Sequence, residues 1–189
     1  MNGFEYALAL LSVLIGLTLT EIATDLHRLV RRGRAVRWDG RVVLSTALAV
    51  EVTVRMWFTF WRVRDVEAVV VFPFYLSMFV EMMVLFMIGA SCLPEEPPED
   101  GDLSLYYERN RRTLWTLFAL FQASYVGYAL YFNRGGGPLW AWSIILLPLA
   151  LYVLLAAVGR KWLHYAAPAA ILAWELFWNW DRALGTPGG

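Results

Sequence analysis

Residues 17–34 read LTLTEIATDLHRLVRRGR. The stretch continues an apolar run that starts at Phe4 and closes it with four arginines, leaving Glu21 and Asp25 one helical turn apart in between. If Glu21 lay deep in a bilayer it would need a purpose; if the helix leaves the membrane there, the segment is an exit and a topology signal. Counted from Phe4, Glu21 is the eighteenth residue. At 1.5 Å per residue it stands about 26 Å along a helix crossing a hydrocarbon layer of roughly 30 Å, close to the inner boundary. Asp25, His27 and Arg28 then belong to an extension of the same helix beyond the membrane, with Asp25 and Arg28 spaced to pair at i, i+3. Glu21 keeps the role of an inner-mouth residue.

The rest of the chain has the same character. Of the 189 residues 59% are apolar and 16% aromatic, and the mean hydropathy is +0.51, which is the composition of a polytopic membrane protein. Formal net charge is zero, so nothing favours nucleic acid as a partner. A single cysteine, Cys92, excludes an internal disulfide or a multi-cysteine metal site and reads as a small apolar filler. No basic region precedes the first apolar run and no small-residue cleavage motif follows it, so that run reads as a retained helix.

Six segments are long and apolar enough to span: 4–24, 42–62, 69–93, 113–133, 138–159 and 162–181. The expected fold is therefore all-α, a single bundle of six transmembrane helices whose short connections make successive helices antiparallel neighbours. Loops one, three and five hold eleven of the sixteen Lys and Arg residues, whereas the opposite side holds Arg62, Arg64, Arg134 and Arg182. Cytoplasmic loops retain that excess, which places both termini on the non-cytoplasmic side. Loop 94–112 carries Pro94, Pro97 and Pro98 among five acids, then LSLYYERNRR. It reads as a solvated turn leading into an amphipathic helix start with Tyr106 and Tyr107 as interfacial anchors, or as a docking site for a cytoplasmic or membrane partner. Trp38, Trp61, Trp140, Trp162, Trp178 and Trp180 fit an aromatic belt. Gly135–Gly137 with Pro138 reads as a tight turn between spans.

Charges at membrane depth carry the functional signal, because each costs about 2.5–3.5 kcal/mol at a helix centre. Glu51 and Arg55 sit one turn apart near the middle of the second span, acid first, the favoured order for an i, i+4 pair. Glu81 marks the middle of the third span and Glu175 lies a little outward of the centre of the sixth. These two acids must be protonated, share Arg55 across the bundle, accept from hydroxyl or indole donors, or face water. Such groups serve either as a proton or cation route or as interhelical hydrogen-bond glue. His27 and His164 would sit at similar depth as a haem pair, but interfacial histidines explain them too. No HExxH, GxSxG, phosphate loop or paired-cysteine motif occurs, so no enzyme, cofactor or metal is expected. Pro73 precedes Glu81 by eight residues and Pro168 precedes Glu175 by seven, a faint echo between two three-helix halves of opposite orientation.

The amino-terminal segment YALALLSVLIGLTLTEIATDLHRLVRRGRAVRWD, with its L-x-x-x-I-G-L-x-L-T-E helix and R-x-x-W element, resembles a widespread group of small bacterial inner-membrane proteins that also carry an acidic Pro-containing loop before an aromatic and Arg segment. The resemblance covers roughly the first 115 residues. It implies a bacterial cytoplasmic membrane and assigns no activity and no functional residue. Three functions follow from the sequence. The leading expectation is a small transporter or channel for protons or cations using Glu51, Arg55, Glu81 and Glu175, with a homo-oligomer supplying a wider pore. The alternatives are a non-catalytic membrane subunit or scaffold and a haem or pigment carrier.

Overall fold

The computed structural model describes residues 3–62, 71–96, 98, 100–133 and 139–180. Within them the chain forms six helices: α1 (Gly3–Arg31), α2 (Gly40–Arg62), α3 (Phe72–Cys92), α4 (Leu103–Asn133), α5 (Leu139–Ala157) and α6 (Leu163–Asn179), with one 3-10 turn at Gly33–Ala35. The single β pairing among the described residues is an isolated bridge between Arg37 and Asp102. Three helices are long and apolar enough to cross a membrane, over Leu8–Arg31, Gly40–Phe60 and Phe72–Cys92; α5 carries a shorter apolar stretch, Trp142–Ala157. The architecture is that of a membrane protein.

Helix α1 runs unbroken through the quoted stretch to Arg31, and at 29 residues it is about 43 Å long, well beyond a hydrocarbon layer. Asp25 and Arg28 meet at 2.9 Å. Helix α4 begins at Leu103, so the second half of loop 94–112 is helical. Asp102 sets that start by accepting a hydrogen bond from the Ser104 amide at 2.8 Å, as an N-cap does. Asp39 does the same for α2 through the Arg41 amide at 2.7 Å. Pro73 lies in the first turn of α3, where its missing N–H costs nothing, whereas Pro168 is inside α6. The two prolines therefore do different things, and the echo between the halves is not one of structure.

Helix α2 touches α1, α3, α4 and α6; α1 lies against α3; α4 forms a hairpin with α5; and α6 closes on α2. Gly89 lets α1 and α3 approach, since a Cβ there would stand 2.8 Å from Thr18 Cγ2. The connections after α1 and α3 are clasped together at one end of the bundle. The Arg37 amide donates to the Gly101 carbonyl at 2.7 Å, the Leu103 amide donates to the Arg37 carbonyl at 3.3 Å, and the Arg37 guanidinium meets Asp102 at 2.9 Å. The α5–α6 turn joins the same end: Arg111 of α4 donates to the Ala156 carbonyl at 3.4 Å, near the α5 terminus. The three most basic connections thus gather on one side.

The core runs between the helices through Leu48, Met82, Leu85, Ile88, Trp115 and Phe118, all buried. Cys92 belongs to it. The anchoring roles expected of Tyr106 and Tyr107 do not hold: Tyr107 is 2% exposed, and the Tyr106 hydroxyl shares its one proton between the Ser91 and Leu93 carbonyl oxygens, 3.1 and 3.0 Å away. Because α4 already exists at these positions, both rings point into the bundle end rather than into a headgroup layer. Trp38, Trp162, Trp178 and Trp180 are exposed. The side chains of Trp61, Arg62 and Trp140, together with Arg64, Arg134 to Pro138 and Arg182, lie outside the described residues.

Candidate functional site

Charged residues meet near the middle of the bundle. Arg55 Nε lies 3.4 Å from Glu51 Oε1 on its own helix and 3.6 Å from Glu175 Oε2 on α6. The first contact follows from the i, i+4 spacing; the second needs α6 packed against α2. Asn179 steadies Glu175 by donating to its Oε2 at 3.1 Å and to its carbonyl at 2.6 Å. Tyr125 of α4 presents its ring 5.5 Å from the guanidinium carbon, while its hydroxyl meets Met56 Sδ at 2.9 Å. One cation thus faces two carboxylates and a ring face, with the three charged side chains between 9% and 14% exposed. A cleft of about 440 Å³ between α2 and α6, lined by Val50, Val54, Phe58 and Leu172 among others, reaches Glu51 and Arg55.

Glu81 faces a different groove. It is 4% exposed at the floor of a groove of about 740 Å³ between α3 and α4, walled by Phe74, Leu76, Val80, Leu120 and Tyr131. Ser124 Oγ stands 2.5 Å from Glu81 Oε1 and 2.6 Å from the Phe121 carbonyl oxygen. A hydroxyl has one proton, and a carbonyl only accepts. Both contacts are hydrogen bonds at once if Glu81 carries the acid proton and donates to Ser124, which in turn donates to Phe121. Among the described residues no Lys or Arg pairs with Glu81; Arg55 acts on it through space. Glu51 lies about 16 Å from the start of α2 and Glu81 about 16 Å from the end of α3, both termini being at the clasped end, so the two acids share one depth. Glu21 is half-buried on α1, well away in sequence and depth from that cluster.

A second polar network, which the sequence reading did not find, occupies the clasped end. The Arg41 guanidinium is 3% exposed and grips Asp39 through Nη2 at 2.7 Å and Nε at 3.1 Å, while Nη1 pairs with Glu108 of α4. Its carbon lies 4.8 Å from the Tyr107 ring centre. Burial raises the Asp39 carboxyl, but the hydrogen bonds from Arg41 outweigh it and hold the group below the usual carboxylate range. Beside it, Trp115 Nε1–H donates to the Tyr107 oxygen at 2.9 Å, Tyr107 lies 2.7 Å from His164 Nδ1, and His164 Nε2 lies 2.7 Å from the Val158 carbonyl. Since that carbonyl must accept, Nε2 holds the proton and Nδ1 accepts from the tyrosine. Burial, offset in part by the Trp115 bond, pushes the Tyr107 phenol up to about 12, so it stays a donor at neutral pH.

This chain of bonds overturns the reading of His164 as an interfacial or haem-ligating residue. It is 1% exposed and both ring nitrogens are engaged, while His27 is exposed on α1. Among the described residues no three of His, Cys, Asp and Glu gather as a metal site. The signal for Asp39 was present in the D-G-R of residues 39–41, an acid immediately before an apolar helix, which is an N-cap pattern. The bond that Asp39 accepts from Tyr165 and the pairing of Arg41 with Glu108 join residues far apart in sequence and left no local trace. No family model, curated protein or solved structure matches the chain.

Proposed function

We propose that the chain is a six-span protein of the bacterial inner membrane that moves protons or small cations, with Glu51, Arg55, Glu81 and Glu175 along the route and Glu21 toward its inner mouth. Both termini are non-cytoplasmic on this reading, and the clasped basic end faces the cytoplasm. The observation that carries it is the imbalance at one depth: two carboxylates hold one guanidinium, and a third buried acid, Glu81, stands close by with the Ser124 hydroxyl 2.5 Å from its carboxyl. With Glu81 protonated the group carries one net negative charge. Losing that proton would leave a second negative charge in a medium that screens poorly, so the cluster takes up one proton firmly and releases it when a cation approaches. Grooves on both sides give access to these groups.

Reconstitution into liposomes enclosing a pH-sensitive dye tests the proposal. A proton or cation gradient should drive a dye response that falls at least tenfold in Glu81→Gln. No response under any gradient would end the transport reading. A non-catalytic membrane subunit is the second reading, supported by the clasp that fixes the acidic segment after α3 with Glu95 and Glu96 exposed. Stoichiometric recovery of one partner after gentle detergent extraction would favour it.

A further inference from the structure

The groove between α3 and α4 has the properties of a ligand site rather than of a packing defect. Its volume of about 740 Å³ lies within the range of small-molecule pockets, roughly 300–1,000 Å³, and its walls are apolar apart from one convergent polar group. That group is Glu81 with Ser124 beneath it, and Ser77 and Tyr128 at 3.3 Å from one another beside it. The groove is open beside Gly127, where an added Cβ meets nothing within 4 Å. The opening faces outward between two helices, toward the lipid phase, so an occupant enters sideways from the bilayer and must itself partition into lipid. An acyl chain would satisfy the walls but leave the carboxyl with nothing new to do.

We propose that this groove binds a lipophilic amine, its chain along Leu76, Val80 and Leu120 and its nitrogen at Glu81. The amine dissolves in the bilayer uncharged. On arrival the Glu81 O–H proton passes to the amine nitrogen lone pair, leaving a carboxylate paired with an alkylammonium; the proton count is unchanged and no other reactant is needed. Ser124, having lost the donor bond from Glu81, turns its hydroxyl to the carboxylate. Ions need not move for this binding to occur. The inference shares Glu81 with the transport proposal but does not depend on flux.

The test uses the full chain in lipid nanodiscs, titrated with dodecylamine and, separately, with dodecanol, while the thermal unfolding midpoint is followed. Dodecylamine should raise the midpoint saturably, with an apparent affinity at least tenfold tighter than any response to dodecanol. Glu81→Gln should remove that preference. Gly127→Phe adds bulk at a position where a Cβ meets nothing within 4 Å, so it should abolish the amine response, with the unliganded midpoint and helix content measured beside it to show that the bundle is intact. Glu81→Asp serves if the glutamine variant fails to fold, with weakened but amine-selective binding expected. Equal responses to both probes, or an amine response unchanged in Gly127→Phe, would show that the groove only accommodates acyl chains and would overturn the proposal. Amine binding without dye flux would leave this inference standing and remove the transport reading; flux without amine binding would do the reverse.

Discussion

Replacing Arg55 with methionine removes a cation shared by Glu51 and Glu175 while keeping most of the side-chain volume. At separations of 3.4 and 3.6 Å each contact carries roughly 4–5 kcal/mol of attraction if the effective dielectric is about 20. Much of that is offset by the cost of keeping three charges out of water, so the gross sum is no guide to the net effect. The useful comparison is between variants. Without Arg55 the nearly buried Glu51 and Glu175 lose the cation that they share, and breaking such a pair from one side costs about 3–5 kcal/mol. The lower end is expected here, because a chain unfolded within a membrane also finds partners for its polar groups. Glu51→Gln, in contrast, leaves a one-to-one Arg55–Glu175 pair and relieves the repulsion between two acids, so its cost should be about 1 kcal/mol. The triple variant Glu51→Gln, Arg55→Met, Glu175→Gln carries no charge there and should return to within about 1 kcal/mol of the parent. Reversible unfolding in mixed micelles of increasing denaturing detergent, followed by circular dichroism, gives all three values. If Glu51→Gln cost as much as Arg55→Met, or the triple variant were no better than Arg55→Met alone, the shared-cation account would be wrong.

Gly101→Ala should be far more harmful than Gly33→Ala although both glycines have positive φ, at +66° and +58°. A Cβ at 101 would stand 1.9 Å from the Ala35 carbonyl oxygen, whereas at 33 it meets open space; the second change costs about 1–2 kcal/mol for the left-handed backbone alone, and amide exchange at Arg37 should speed up only in the first. Tyr107→Phe strands the buried Trp115 N–H and His164 Nδ1, and should lower stability by about 1–3 kcal/mol, with the His164 Nδ1 NMR shift reporting loss of the tyrosine bond while the Nε2–H tautomer, set by the Val158 carbonyl, is kept. Asp39 has a folded-state pKa below its unfolded value of about 3.9, so its contribution is present above that value and disappears as pH falls through the folded pKa. The slope of stability against pH below about pH 4 should therefore flatten in Asp39→Asn; an unchanged slope would place the acid sensitivity elsewhere.

Residues that interact along one helix were legible without a structure. Asp25 with Arg28 and Glu51 with Arg55 follow from a 3.6-residue period, and the extension of α1 past Glu21 follows from its length and its arginines. The neighbouring tyrosines show where this stops. Tyr106 and Tyr107 differ by about 100° around α4, and nothing in LSLYYERNRR says that one ring contacts the end of α3 while the other sits between Arg41 and His164.

Composition and periodicity determined that the chain is a helical membrane protein, roughly where its helices lie, and that three acids and an arginine fall near helix centres. Those are local properties, set by the cost of apolar surface in water and of charge in lipid. Tertiary packing alone decided that Glu175 joins Arg55 across 120 residues, that Glu81 opens onto a separate groove with Ser124 against its carboxyl, and that Asp39 with Arg41 and Tyr107 with His164 form a polar network at the clasped end. Which face of one helix meets which face of another depends on side-chain fit summed over the whole bundle, and that sum leaves no periodic mark on any one segment.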